Sequence, residues 1–397
     1  RQMCIRDRPS SSSKDDPNEL MMNDSKEQNS KNSIYMEDAI EFCNLMIAEF
    51  TEKVNQKNVD YLYAMLNKDF LPHMGNQKSD FNKKAKFLGY IVRTLLLRAT
   101  KKLEFDNRDL LCNKRIDTPG QIMKNMFLEA MRNITKDLNS CAMQMDNGKT
   151  MSNLRTFIKK KGYFNDMKNT SKTGKWNTSD LNPVPKSNIT APNLPLGYPA
   201  YISHLNRFVT PLKKTGRFYG PRRLNGQHFG YYDPNETPDN DGVGLSKHRA
   251  LTCRITKGYP SYTIFPHLID FAIPLEKVSF REIHKFWKII VNGFWWGNVS
   301  NPIPLLQSLR DKRRNLLIHF ETGITALETE KIISIRTDQG RFIRPLYIVE
   351  NGKLVWDGIW PKYSKHINIL FMLEHKWIEF IDVSEIENCF IAFYPSD

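Results

Sequence analysis

Apolar positions along the chain recur with two different periods, and the change of period divides it. From Met36 to Leu138 the spacing is helical. Ala39, Cys43, Met46, Ile47 and Phe50 recur at three- and four-residue steps, as do Phe87, Leu88, Ile91 and Leu95, and then Met123, Met126, Phe127, Ala130 and Ile134. Such spacing puts one apolar face on an amphipathic helix. Asp117 or Thr118 is placed to cap the last of these helices, with Pro119 in its first turn. The methionines on these faces read as core packing. After Thr256 the pattern changes to strands and short helices. Ile289 to Gly297 reads as a β-run with an Asn292-Gly293 turn. Asn301-Pro302 opens a helix carrying Leu305, Leu306 and Leu309 and ending in the basic cluster Arg310 to Arg314. Ile332–Thr337 and Phe342–Val349, joined by Asp338-Gln339-Gly340, predict a hairpin, turned again at Asn351-Gly352. A helix near Ile367–Leu373 and a strand near Phe390–Phe393 finish the chain. The fold class this predicts is α+β and multidomain, helical first and β-rich last.

Between these halves, from Tyr201 to Thr256, neither period survives. Six basic residues and no acid lie between Arg207 and Arg223: Arg207, Lys213, Lys214, Arg217, Arg222 and Arg223. The acids Asp233, Glu236, Asp239 and Asp241 follow, then Lys247, Arg249 and Arg254. Glycines at 216, 220, 226, 230, 242 and 244 make the backbone turn repeatedly or pass close to something. The stretch reads either as a solvated surface segment or as a structured loop module that offers cations to a polyanion, phosphate being the natural partner of an arginine fork. Upstream, Arg155, Lys159, Lys160, Lys161, Tyr163, Phe164, Lys168, Lys172, Lys175 and Trp176 mix charge with aromatic rings. That blend suits a nucleic-acid backbone and its bases, or a flexible lysine loop, equally well. Residues 177–198 are a linker rich in Pro, Asn and Ser, and residues 1–33 have a disordered composition whose first eight residues fit nothing after them.

Charge and cysteine usage narrow the classes. The chain has 397 residues, enough for several domains, and a formal net charge of +15. That excess makes nucleic acid the first partner to consider. A membrane surface competes, but no strongly basic amphipathic helix supports it. No apolar run approaches the length of a bilayer span, and no signal-peptide layout is present. The cysteines at 4, 43, 112, 141, 253 and 389 are scattered singly, without metal-ligand spacing. They read as reduced thiols of an intracellular protein.

Three kinds of site chemistry are tempting and fail. Thr237-x-Asp239-x-Asp241-Gly242 hints at a calcium loop, but Thr stands at its first ligand position and His248 where the closing Glu belongs. Asp106, Asp109 and Asp117 are interleaved with Arg108, Lys114 and Arg115, which favours ion-paired structural roles over paired-carboxylate catalysis. His228 has no suitably placed nucleophile, so a structural hydrogen bond is favoured over general-base work. No catalytic residue and no metal ligand is assigned.

Ordered strings carry a resemblance. Ser203-His204-Leu205-x-Arg207, Pro221-Arg222-x-Leu224, His228-x-Gly230, Pro234-x-Glu236-Thr237-Pro238 and Gly244-Leu245 follow one another as in the fork region of the second-largest subunit of multisubunit DNA-directed RNA polymerases, a relative of the bacterial β subunit. Lys68-Asp69-Phe70-Leu71-Pro72-His73, Asp106-Asn107-Arg108-Asp109, Thr173-Gly174-x-Trp176, Val291-Asn292-Gly293-x-Trp295-x-Gly297 and Thr337-Asp338-x-Gly340-Arg341-x-x-Arg344-Pro345-Leu346 extend it over residues 35–397. The RNA polymerase II type is resembled most, and the divergence suits a large DNA virus of eukaryotes.

The resemblance implies a layout: a lobe- and protrusion-like part at 34–176, a fork-like module at 199–262, an external 1-like domain at 263–349 and a truncated external 2-like domain at 350–397. It implies template-directed RNA synthesis from ribonucleoside triphosphates, with Mg²⁺ held by aspartates of the largest subunit rather than by this chain. The implied partners are that subunit and the other polymerase subunits, template DNA and nascent RNA, with no membrane, in the nucleus or at a viral replication site in host cytoplasm. A hybrid-binding region is expected beyond Asp397, which would make this chain a fragment inactive alone. Arg207 and Arg222 match positions near hybrid and downstream DNA, with Lys213 and Lys214 beside them. Arg217 matches the loop where the downstream duplex separates, and Arg223 replaces a usually polar neighbour. Glu236 matches a loop-positioning acid near the incoming nucleotide. Asp239-Asn240 replaces Glu-Gly, so Asp239 has a shorter reach and Asn240 is expected to tolerate a left-handed backbone. The competing class is a non-enzymatic nucleic-acid-binding scaffold that retains polymerase domains.

Overall fold

A computed structural model describes residues 4–6, 64–146, 164–173, 196–356 apart from 211, 213, 217, 280 and 281, and 368–394 apart from 393. The expected helix at Ala39–Phe50 and most of the basic aromatic patch and linker lie outside these residues. In chain order the elements are β1 (Cys4–Arg6), α1 (Phe81–Ala99), α2 (Pro119–Asp146), α3 (Asn165–Thr173), α4 (Tyr198–Leu205), β2 (Arg207–Val209), β3 (Tyr232–Asp233), β4 (Ser246–Arg249) and β5 (Arg254–Ile255). Then follow β6 (Ile273–Pro274), β7 (Trp287–Val291), β8 (Phe294–Val299), α5 (Pro302–Arg314), β9 (Gly323–Leu327), β10 (Ile332–Arg336), β11 (Phe342–Glu350) and β12 (Lys353–Leu354). The last are α6 (Ile369–Glu374), β13 (Ile378–Asp382), α7 (Val383–Glu387) and β14 (Phe390–Ala392). The class is α+β, and the chain divides into two compact units.

The first unit takes Arg1–Asn107, Gly258–Asp338 and Pro345–Asp397. Its main sheet has the order β6-β8-β7-β10-β9. β7 and β8 form the predicted hairpin, with Asn292 (φ 49°) and Gly293 (φ 88°) both left-handed, the mirror-image turn that an Asn-Gly pair favours. β10 lies parallel to β7 and antiparallel to β9. Ile289, Val291, Ile324, Ile333 and Ile335 point from the sheet onto Leu305 and Leu309 of α5, Ile264 and Leu268. α5 starts as predicted, its first turn capped by the Asn301 side chain, which accepts from the Ile303 amide at 3.1 Å.

The predicted hairpin between Ile332–Thr337 and Phe342–Val349 does not form. Both edges of β10 are already taken, by β7 and β9, so no edge is left for β11. The Asn292 side chain also holds the chain where it leaves β10. Its Oδ1 accepts from the Thr337 amide at 2.8 Å, and its Nδ2 donates to Thr337 Oγ1 at 2.7 Å. β11 joins another sheet, of order β12-β11-β1-β14, and also pairs with β13.

Helix α1 forms where the period predicts it but buries a different face. Leu88, Ile91 and Leu95 are exposed, Leu95 by 66%, whereas Lys84 and Lys86 are buried. Lys84 Nζ donates to the carbonyls of Leu66, Asn67 and Phe70, and Lys86 Nζ donates to those of Leu275 and Val278. An ammonium has three donors and fits carbonyls left bare where short turns end. Phe87 and Tyr90 pack beside Met74, Leu275 and Trp295.

The basic cluster at the end of α5 is partly interior. Arg313, 2% exposed, bonds both carboxylate oxygens of Glu385 on α7 at 2.8 Å, Glu379 Oε1 on β13 and the Thr322 carbonyl. Arg314 Nε adds a bond of 2.9 Å to Glu379 Oε2. Burial opposes the charge of Arg313, yet Glu379 and Glu385 raise its pKa above the ordinary value. Removing one member strands buried charge, which costs about 3–5 kcal/mol.

The second unit takes Arg108–Lys257 and Gln339–Arg344. α2 begins at Pro119 as predicted, but among the described residues only Ala130 of its apolar face is fully buried, with Met123 and Phe127 exposed. Core packing by those methionines is therefore not what this unit shows. A three-stranded sheet, β2-β4-β3, pairs Arg207 with His248 and Tyr232 with Arg249. The rings of Phe208, Tyr232 and Phe342 meet edge-on or tilted at 5.1 to 5.6 Å. Gly340 (φ 79°) donates to the Thr256 carbonyl and accepts from the Ile116 amide; a Cβ there would lie 2.4 Å from Ile116 O.

Arg313→Met is expected to lower unfolding stability by about 3–5 kcal/mol in urea titration, because Glu385 stays buried without its partner and Glu379 keeps only Arg314. Replacing Arg313, Glu379 and Glu385 together by apolar residues of similar volume should recover most of that loss.

Candidate nucleic-acid interface

The site grows from the pairing of β2 with β4. Residues on opposite strands in register share a face, so Arg207 stands across from the buried His248. Together with Val209, Thr210, Lys214, Glu236, Thr237 and Asn240 they border a cavity of about 340 Å³. Arg207 and Lys214 are exposed at its rim. Neither cation makes a side-chain hydrogen bond or ion pair with the described residues, so both are available to an anion.

Ser203, on α4, donates from Oγ to Glu236 Oε1, while His248 Nδ1 faces Glu236 Oε1 and Ser203 Oγ, each at 3.3 Å. One ring nitrogen meets both partners. A hydrolase triad needs the acid on one ring nitrogen and the hydroxyl on the other, so this arrangement is not one. Burial lowers the His248 pKa, Glu236 works the other way, and Arg207 adds to the lowering. Glu236 is thus anchored by its neighbours at the cavity wall.

Arg222 is half-buried, and both terminal nitrogens of its guanidinium are engaged. Nη1 donates to the carbonyls of Asp241 and Val243 at 2.8 Å, and Nη2 to those of Lys214 at 2.6 Å and Gly216 at 3.2 Å. The fork sequence analysis offered to phosphate instead ties the 214–216 loop to the 241–243 loop. Gly244 (φ 70°) lets the second loop approach: a Cβ would lie 2.5 Å from the Arg222 carbonyl. Thr237 Oγ1 bridges the Gly244 amide and the Ser246 carbonyl.

Asn240 stands outside the left-handed region, so the tolerance expected of it is not called on. Its Oδ1 accepts from the Gly242 amide at 2.9 Å, a local side-chain turn that makes glycine unnecessary at that position. Asp239 and Arg223 are exposed, and Arg223 makes no side-chain bond with the described residues. Lys213 and Arg217 lie outside the described residues. The structure therefore brings Arg207, Lys214, Arg222 and Glu236 together, with two different duties for the cations.

His228 is buried at the end of a short capping box. Asn225 Oδ1 accepts from the Gln227 amide, and the Asn225 amide donates to His228 Nδ1 at 3.2 Å. Its role is structural, as the sequence favoured. Burial, with Lys247 and Lys114 nearby, pushes its pKa down to about 4. Lys247 donates to the Pro221 carbonyl and lies 5.6 Å from the Tyr232 ring centroid; burial, then Lys114, lowers its pKa to about 8. Asp109 pairs loosely with Lys114 at 3.9 Å, in keeping with a structural acid.

Sequence reasoning missed His248 as a wall residue and Ser203 as the partner of Glu236. Ser203 was visible as part of an ordered string, but its contact with Glu236 spans 33 positions and carries no local signal. Among the described residues no group of three or more His, Cys, Asp or Glu side chains could hold a metal ion.

Comparison with known proteins gives three family matches in chain order. The models described as RNA polymerase Rpb2, domain 2, domain 3 and domain 4 match residues 5–117, 196–255 and 289–350. DNA-directed RNA polymerase II subunit 2 of Arabidopsis thaliana is 33% identical over 350 residues, which cover 86% of this chain and 29% of that protein. Subunit RPB2 of the same enzyme from Encephalitozoon cuniculi is 31% identical, with 85% and 30% covered. Subunit Rpo2 of the DNA-directed RNA polymerase of Saccharolobus shibatae is 26% identical, with 91% and 33% covered. The chain spans about a third or less of the length of these relatives.

The depressed pKa of His228 has a definite sign. The unfolded chain takes up a proton between about pH 6.5 and 4 that the folded one refuses, so stability is full above that window and falls as pH drops through it. The loss is of the order of 3 kcal/mol. His228→Asn keeps an acceptor for the Asn225 amide and should flatten this part of the pH–stability profile measured by denaturant titration.

Proposed function

The chain belongs to the family of second-largest subunits of multisubunit DNA-directed RNA polymerases, and from that membership we propose that it takes part in DNA-templated synthesis of RNA from ribonucleoside triphosphates. The observation that carries this reading is the ordered succession of three domain matches between residues 5 and 350. The site chemistry supports it. Arg207, Lys214 and Arg223 present exposed cations on one module, as a nucleic-acid backbone requires. Lys213 and Arg217 belong to the same basic run, and this reading gives them the same partner. Arg222 serves the interface indirectly, by holding the two loops that frame it. Glu236, held by Ser203, positions its loop and transfers no proton, and Asp239 faces solvent beside it.

In this reading the chain supplies binding and positioning within an assembly that includes the polymerase's largest subunit and its other subunits, template DNA, nascent RNA and ribonucleoside triphosphates. Magnesium supplies the chemistry of phosphoryl transfer in such enzymes, activating the attacking oxygen and stabilising the leaving group. This reading places it on the largest subunit and gives this chain no metal-borne step. This reading places its work inside the cell. Among the described residues no helix is long and apolar enough to cross a membrane.

Arg222→Ala in the assembled polymerase should slow RNA extension on a DNA template while the subunits still assemble, because the loops lose their shared clamp. Normal extension by that complex would leave a non-enzymatic scaffold as the better reading. Separately, alanine at Arg207, Lys214 or Arg223 should each reduce the slope of log affinity against log salt for DNA by about one, read by fluorescence anisotropy.

A further inference from the structure

Between the Arg222 clamp and the start of the next turn, the loop carries two aromatic side chains that the fold leaves in solvent. Phe218 is 54% exposed and Tyr219 69% exposed. Neither ring meets another ring, and the Tyr219 hydroxyl makes no hydrogen bond, among the described residues. Large aromatics cost the most to leave wet, so a pair side by side on one loop marks a binding surface more than chance would.

The backbone beneath these rings is firmly held. The amides of Arg222 and Arg223 both donate to the Tyr219 carbonyl, at 3.2 and 3.1 Å. Gly220 sits where a Cβ would lie 2.4 Å from Asp109 Oδ2, so the chain lies tight against that carboxylate. Arg222 fixes the preceding residues through the Lys214 and Gly216 carbonyls. The rings therefore project from an anchored turn, and the loss of backbone freedom on binding is small. Beside them stands Arg223, exposed and without a side-chain bond to the described residues. Exposed rings next to an available guanidinium form the pattern that grips single strands: the cation takes the phosphate and the ring takes the base.

We propose that Tyr219 and Phe218 form a stacking platform for the unpaired bases of a single-stranded nucleic acid, with Arg223 neutralising the adjoining phosphate. This deepens the nucleic-acid reading above and rests on it. A duplex hides its base faces, so the platform discriminates single from double strands, and since every base has a π-face it does so with little regard to sequence.

The test uses the whole 397-residue chain and two labelled probes of equal length, an oligothymidylate and its abasic counterpart, followed by fluorescence anisotropy at low salt. Tyr219→Ala should weaken oligothymidylate binding by about 5- to 100-fold and leave the abasic probe unchanged. Phe218→Ala should act in the same direction, and Tyr219→Phe should bind like the parent. Tyr219→Trp adds a direct readout, since indole fluorescence should be quenched by oligothymidylate and not by the abasic strand. Equal effects on both probes, or no effect on either, would overturn the platform while leaving the backbone contacts of Arg207 and Lys214 standing. Binding of neither probe by the parent chain would instead remove the nucleic-acid reading on which the platform rests. Shielding of the Tyr219→Trp ring on assembly with other subunits, before any nucleic acid is added, would make it a protein contact and overturn the proposal as well.

Discussion

The loop module depends on one guanidinium. Arg222 reaches four main-chain carbonyls in two loops that the sequence separates by more than twenty positions. Among the described residues neither loop is part of a helix or strand, so without the clamp their carbonyls would return to water and the tie between the two loops would be lost. The same device recurs across the chain. Lys84 and Lys86 close carbonyl groups at the ends of turns, and Lys247 caps Pro221. A basic chain thus uses part of its charge to finish its own backbone, and only the remainder is available for a partner.

That division changes what net charge means here. A formal charge of +15 reads at first as a single polyanion-binding footprint. Arg313 is the strongest counterexample: it lies inside, neutralised by Glu379 and Glu385, and joins α5 to the segment containing β13 and α7. Arg207, Lys214 and Arg223 are of the other kind, exposed and without side-chain bonds to the described residues. Within the module, Arg222 is committed to main-chain carbonyls, and the exposed cations give it an electrostatic surface. In the proposed reading only the exposed group meets phosphate directly.

The interface shows where sequence reasoning reaches its limit. Arg207, Arg222 and Glu236 were visible because they sit in ordered strings. Which cation is available and which is committed was not visible, since commitment depends on where the carbonyls of Lys214, Gly216, Asp241 and Val243 come to lie. The Asp239-Asn240 departure is similar. Residue type allowed a left-handed backbone at Asn240, but a side-chain bond to the Gly242 amide met the need in another way.

Local chemistry by itself determined a good deal of this protein. Asn292-Gly293 and Asn351-Gly352 dictated their turns because few other pairs accept two left-handed residues in succession. Asn301 and Pro119 dictated where their helices begin, through a side-chain cap and a preset φ. Periodicity placed α1, α2 and α5, and ordered strings identified the family. Only tertiary structure decided which side of α1 is buried, since carbonyls from distant turns received Lys84 and Lys86 while Leu95 stayed in water. It also decided that β10 and β11 part company: strand propensity proposes an edge, but an edge can be paired only once, and β7 and β9 had already filled both.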